Sequence, residues 1–205
     1  METIKPDVLQ FFTELDSNNN RDWFDAQKPR FKANEGEVKS FAAALQEAMN
    51  EDDRVDSFKL FRVYRDVRFS KDKTPYKTHF GISFHREKPR FRGGYYLNLK
   101  PGNNFIATGF WNPSKEDLLR IRKELELDAT EFREIMKNPS FSTVWGELEG
   151  EEVKSAPRNF SKDDPNIDLI KKKAYLFTKQ YSDKEVLSQG FLQQVSEDFK
   201  AMRPF

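Results

Sequence analysis

The chain has 205 residues, 34% of them charged, with 20 Phe among its aromatics and 35 Lys+Arg against 34 Asp+Glu for a net charge of +1. That length suits one sizeable domain whose core is built on aromatics; the absence of Cys excludes disulfides, thiolate catalysis and Cys-ligated clusters, and two histidines, His79 and His85, exclude a multi-histidine metal site. METIKPDVLQFF lacks the basic and apolar regions of a signal peptide, and no run approaches the roughly 18 to 20 apolar residues of a membrane span, so a cytoplasmic protein with no membrane partner is expected.

In chain order, Val8, Leu9, Phe11, Phe12 and Leu15 form one helical stripe that stops at the turn cluster Ser17-Asn18-Asn19-Asn20. A second helix starts at Arg21 or Asp22, presents Trp23, Phe24 and Phe31, bends at Pro29 and continues after Gly36 through Val38, Phe41, Leu45 and Met49. From Ser57 the period becomes two. Phe61, Val63, Val67 and Phe69 share one parity and Arg62, Tyr64, Asp66 and Arg68 the other, which predicts a strand with one buried face.

Further strands are predicted over 78–85, 95–99 and 105–111, the last two joined by the turn Pro101-Gly102-Asn103-Asn104. Strands that follow one another without helices imply an antiparallel sheet. Ser114 and Asp117 cap a helix carrying Leu118, Ile121 and Leu125, and another carries Phe132, Ile135 and Met136 up to Pro139. Residues 141–165 read as loop with a short strand or two. Asp164-Pro165 opens a short helix, 174–178 is a strand candidate, and a final helix boxed by Ser182 and Glu185 runs to Met202 despite Gly190. The expectation is a single α+β domain over 1–205: helical in 1–52, an antiparallel sheet of four to six strands in 57–112, helices and loop in 113–205.

The charge is segregated. Residues 59–92 hold 11 bases against Asp66, Asp72 and Glu87, a balance of +8 that leaves the remainder at −7. Guanidinium groups offer forked donors to phosphate or carboxylate, so this pattern predicts an anion-binding surface. On the predicted strand Arg62 and Arg68 project together and Arg65 projects among apolar neighbours, where it must find a carboxylate or line a cleft. The loop that follows, rich in donors and free of glycine, offers Lys73, Thr74, Tyr76 and Lys77 as an anion clamp. Asp66, Asp72 and His79 are the proton-transfer groups at hand if the protein is catalytic. Against this stands a structural reading, in which the arginines pair with Asp66 and acidic helices, Asp72 caps a turn and His79 is a hydrogen-bonded strand residue. Tyr95, Tyr96, Phe105, Phe110 and Trp111 beside these basic strands offer base stacking, with core packing as the alternative.

The run from Arg62 through Tyr64-Arg65-Asp66 and Arg68-Phe69-Ser70-Lys71-Asp72-Lys73-Thr74-Pro75-Tyr76-Lys77-Thr78 resembles the signature of the bacterial and fungal family catalogued as domain of unknown function 2461. Asn18-Asn19, Arg21, Trp23-Phe24, Gly94-Tyr95-Tyr96, Pro101-Gly102, Pro113, Leu118 and Ile121-Arg122 fit it in order. Pro157-Arg158-Asn159-Phe160 and Asp164-Pro165 resemble its late segment, with Arg-Asn for the usual Lys-Gly and Asp-Pro for the usual His-Pro. The resemblance spans nearly the whole chain and implies no particular reaction.

The sequence therefore predicts a phosphorylated or nucleotide-like anion held by Arg62, Arg65, Arg68, Lys73, Tyr76 and Lys77, with no metal and no cofactor. A nucleic-acid or protein interaction surface and a purely structural ion-pair network are the alternatives. No feature of the sequence specifies an oligomeric state.

Overall fold

A computed structural model describes residues 2–204. Its N-terminal layer is two helices, α1 (Pro6–Ser17) and α2 (Arg21–Asn50). Asn20 caps α2 by accepting from the Trp23 amide at 3.0 Å. Helix α2 continues through Pro29, although an interior proline costs about 3 kcal/mol, because the apolar residues on both sides of it are anchored in one core. Phe24 and Phe31 before and after the proline, then Val38, Phe41, Ala42 and Leu45, are all buried.

Five strands follow, β1 (Val55–Leu60), β2 (Phe80–Arg86), β3 (Gly94–Leu99), β4 (Asn104–Phe110) and β5 (Tyr175–Tyr181), paired in that order and antiparallel throughout. Between β4 and β5 lie α3 (Lys115–Leu127), α4 (Thr130–Lys137), α5 (Pro139–Trp145) and α6 (Ile167–Ile170), and α7 (Asp183–Val186) and α8 (Phe191–Lys200) close the chain. The molecule is α+β, a central antiparallel sheet flanked by N- and C-terminal helices. No helix among the described residues is long and apolar enough to cross a membrane.

Side chains alternate between the two faces of the sheet; burial alternates along β4 and most of β5, whereas Gly81 and Ser83 of β2 and Asn98 of β3 are buried on the second face as well. Phe80, Ile82, Phe84, Tyr95, Leu97, Leu99, Ile106, Phe177 and Tyr181 point inward to one continuous core with α1, α2, α5 and α8. Register places Lys59, Ser83, Tyr96, Ala107 and Thr178 in one row across the strands, on the opposite face. No side chain of that row belongs to the apolar clusters of the described residues. A smaller core forms at one end of the sheet, where α3 and α6 enclose Tyr175 with Leu125, Ala129, Leu169 and Ile170.

Four local expectations change. First, β1 stops at Leu60, so Arg62, Arg65 and Arg68 do not share a strand; of the four residues expected on its buried face Val63 is buried, while Phe69 is 96% exposed. The alternation beyond Leu60 is real in sequence but has no neighbouring strand to pair with. Second, the sheet is completed by β5 from beyond residue 112. Third, Pro139 ends α4 and begins α5, whose first turn is capped by Asn138 accepting from the Ser140 amide at 3.0 Å; proline suits a first helical position as well as it ends a helix. Fourth, the Ser182–Glu185 capping box is formed, but the helix it opens ends at Val186 and α8 restarts after Gly190. Ser188 donates to the Glu185 carbonyl at 2.7 Å, satisfying one of the carbonyls released by that break.

Candidate nucleic-acid interface on the open sheet face

The basic segment divides into an internally paired loop and a set of free cations. Within 61–79 the backbone folds on itself: the Arg65 amide donates to the Pro75 carbonyl at 2.9 Å, the Lys77 amide to the Val63 carbonyl at 2.7 Å, and Tyr64 and Tyr76 form an isolated bridge. Asn19 secures the loop from the α1–α2 turn, its side chain accepting from the Tyr76 amide at 3.1 Å and donating to the Tyr76 carbonyl at 3.0 Å. The Tyr76 ring is buried, stacked on Phe24 with centroids 4.0 Å apart.

Most of the expected anion-binding groups are consumed in this knot. Arg65 donates to both Asp72 and Thr74, and Asp72 also accepts from the Thr74 amide at 2.9 Å. That amide, with the Arg65 guanidinium and the Thr74 hydroxyl, draws the Asp72 carboxyl down to about 2. Arg68 forks onto Asp66 at 2.6 and 2.9 Å, and the pair is exposed; Arg68 holds the Asp66 carboxyl below its usual range. Lys73 donates to the Val67 carbonyl at 2.9 Å.

Arg62, Lys77, Lys59 and Lys100 form no salt bridge among the described residues, although Arg62 is close enough to Asp66 to help lower its pKa. Lys59 and Lys77 lie over the Phe61 ring, 5.5 and 5.6 Å from its centroid. Burial, then the neighbouring Arg62, lowers the Lys77 pKa from its ordinary value. Half-buried His79 has no ring hydrogen bond among the described residues, and its pKa is pushed down by burial first, then by Lys77 and Lys100. Phe61 begins a row of aromatics that sequence reasoning divided wrongly: Phe61 to Tyr96 is 6.3 Å between centroids and Tyr96 to Phe105 is 5.9 Å. All three side chains retain solvent access. Tyr95, by contrast, is in the core, where its hydroxyl donates to Asp53 at 2.5 Å.

Glycine makes room for the row. A Cβ on Gly81 would stand 2.4 Å from the Tyr96 hydroxyl, so the tyrosine lies flat across β2 only because that position has no side chain. Ser83 and His85 on the same face bond to each other at 3.0 Å. The open face thus presents Phe61, Tyr96 and Phe105 between Lys59, Arg62, Lys77, His79 and Lys100. Phe61 was missed as a stacking candidate because its parity placed it on a buried strand face. Among the described residues no group of three or more His, Asp or Glu is arranged to hold a metal ion.

Fold and face together define an α+β protein with one side of its sheet covered by helices and the other carrying aromatics and cations. The chain belongs to the family of conserved hypothetical proteins termed domain of unknown function 2461, whose model matches residues 7–205. No curated protein and no solved structure matches it.

Proposed function

We propose that the protein binds single-stranded nucleic acid on its open sheet face, bases stacking along Phe61, Tyr96 and Phe105 and phosphates meeting Lys59, Arg62, Lys77 and Lys100. The observation that carries this reading is the coincidence of a solvent-accessible aromatic row with cations that form no salt bridge among the described residues. Stacking platforms beside a positive track are how sequence-tolerant single-strand binders work, each stacked base contributing about 1–3 kcal/mol. A small phosphorylated or nucleotide-like ligand would use the same groups, with Arg62 and Lys77 the remaining anion contacts from the 61–79 loop. The structural ion-pair reading is favoured for Arg65 and Arg68, and Lys73 is likewise engaged within the loop, by the Val67 carbonyl. A cytoplasmic setting, in which such strands are accessible, belongs to the same proposal.

Fluorescence anisotropy with a labelled oligouridine tests it. Neutralising three or four phosphate contacts gives a log–log salt slope of about −2 to −3 for a single strand. Tyr96→Ala and Phe61→Ala should each weaken binding roughly 5-fold or more, and a lysine-to-glutamine change at Lys59 should flatten the slope. A slope near zero with an intact fold would point to one small anion instead, and absence of binding at low salt would remove the nucleic-acid reading.

A further inference from the structure

Strand order puts the loop 61–79 and the 100–103 turn at one end of the sheet, and the last residue of β2 with the first of β3 and β5 at the other. There a cavity of about 530 Å³ opens between the sheet and α3, within the size range of small-ligand sites. Its apolar lining includes Tyr95, Phe110, Leu125, Phe132 and Tyr175, and Gly93, Gly94 and Gly109 keep the strand ends free of side chains.

Arg86 is the organised polar group of this wall. Asp53, its side chain only 6% exposed, accepts from Nε at 3.3 Å and Nη2 at 3.0 Å of this arginine, whose guanidinium lies 4.4 Å over the Phe91 ring. Nη1 donates to no acceptor among the described residues, so the residue is fixed in position with donors to spare. Arg203, from the C-terminal turn, reaches the Met49 carbonyl only at 3.5 Å and lines the same cavity. Facing these, α3 and the start of α4 contribute Glu124 and Glu131, neither of which is in a salt bridge among the described residues. Arg86 is paired with Asp53, but Arg203, Glu124 and Glu131 form no salt bridge among the described residues, so cations and carboxylates line one cavity without neutralising each other.

We propose that this cavity binds a small dipolar organic molecule, its anionic group held by Arg86 and Arg203, its amine facing Glu124 and Glu131, and its apolar body over Tyr95 and Tyr175. The site is separate from the sheet face proposed for nucleic acid and stands or falls independently of it.

Three probes of one shape separate the charges: phenylalanine, 3-phenylpropionate and phenethylamine, each titrated to about 10 mM into the ¹⁵N-labelled full-length protein, a range that reports Kd values near millimolar. Phenylalanine is expected to bind most tightly and to shift the Gly93, Gly94 and Gly109 amides. Arg86→Gln and, because Arg86 also neutralises Asp53, the independent variant Arg203→Gln should each weaken phenylalanine binding roughly tenfold while oligouridine binding is unchanged. Glu124→Gln/Glu131→Gln should abolish the preference for phenylalanine over 3-phenylpropionate. The proposal is overturned if no probe shifts those glycines, if 3-phenylpropionate or phenethylamine binds at least as well as phenylalanine, or if both arginine variants bind normally.

Discussion

Arg65 is tied into its own loop, whereas His79 belongs to the face proposed for nucleic acid. Arg65 joins Asp72 and Thr74 across the loop, so Arg65→Met should lower the melting temperature by a few degrees while oligouridine affinity per folded molecule stays intact. Lost affinity at unchanged stability would return Arg65 to the binding surface. The linkage at Asp72 has the carboxylate sign: its pKa is depressed to about 2, so its contribution is full above the unfolded value and is lost as pH falls toward about 2.

His79 has the opposite relation to its ligand and to the fold. Its folded pKa is lowered, so the unfolded chain takes the proton more readily, and its contribution to stability is present above about pH 6.5 and lost on acidification. A phosphate arriving beside Lys77 and Lys100 reverses the field at the ring and raises that pKa. Oligonucleotide affinity should therefore increase as pH falls through the histidine range, and the increase should vanish in His79→Gln. An NMR titration of His79 showing no upward movement on saturation with oligouridine would place the strand elsewhere.

At the scale of elements, the sheet converts single positions into surface. Gly81→Ala on β2 puts a methyl group where the Tyr96 hydroxyl lies. Because the clash is with the far end of a side chain, Tyr96 swings away and the strand survives. The expected result is oligouridine affinity reduced about as much as by Tyr96→Ala, with a melting temperature within a few degrees of the parent. Equal affinity in Gly81→Ala and parent would show that the tyrosine is not stacking. The same glycine explains how far the site was legible beforehand. Alternation identified Phe80, Ile82 and Phe84 as one face of β2, and the hairpin turn identified β3 and β4, because both signals are local. Which of Tyr95 and Tyr96 is in the core depends on which side the helices occupy, and that is decided by contacts distant in sequence.

The whole molecule shows why a pattern of residues misled at 61–69. Arginines at even spacing with apolar residues between them satisfy the strand period, yet a strand also needs a partner, and β2 begins at Phe80, so the pairing that sets Leu60 opposite Ile82 runs out just beyond it. The loop instead finds its order by closing on itself and on Asn19, a contact across 57 residues that no periodicity reports. The resemblance of that segment to the family signature was clear in the sequence; that most of its charges serve the loop itself was not. Charge segregation was visible by counting, but folding divides the basic segment: Lys59 and Lys77 lie over Phe61 at one end of the sheet, while Arg86 and Arg92 line a cavity of mixed sign at the other.

Strand order has a consequence for synthesis. β4 is an interior strand only because β5, delivered after residues 111–174, pairs along its full length from Asn104 with Tyr181 to Phe110 with Tyr175. Until Tyr181 has left the ribosome, the hairpin of β3 and β4 presents an unpaired row of amides and carbonyls, the kind of edge that recruits strands from other chains. Pairing with β5 covers that edge of β4 and leaves β5 as the outer strand of the finished sheet.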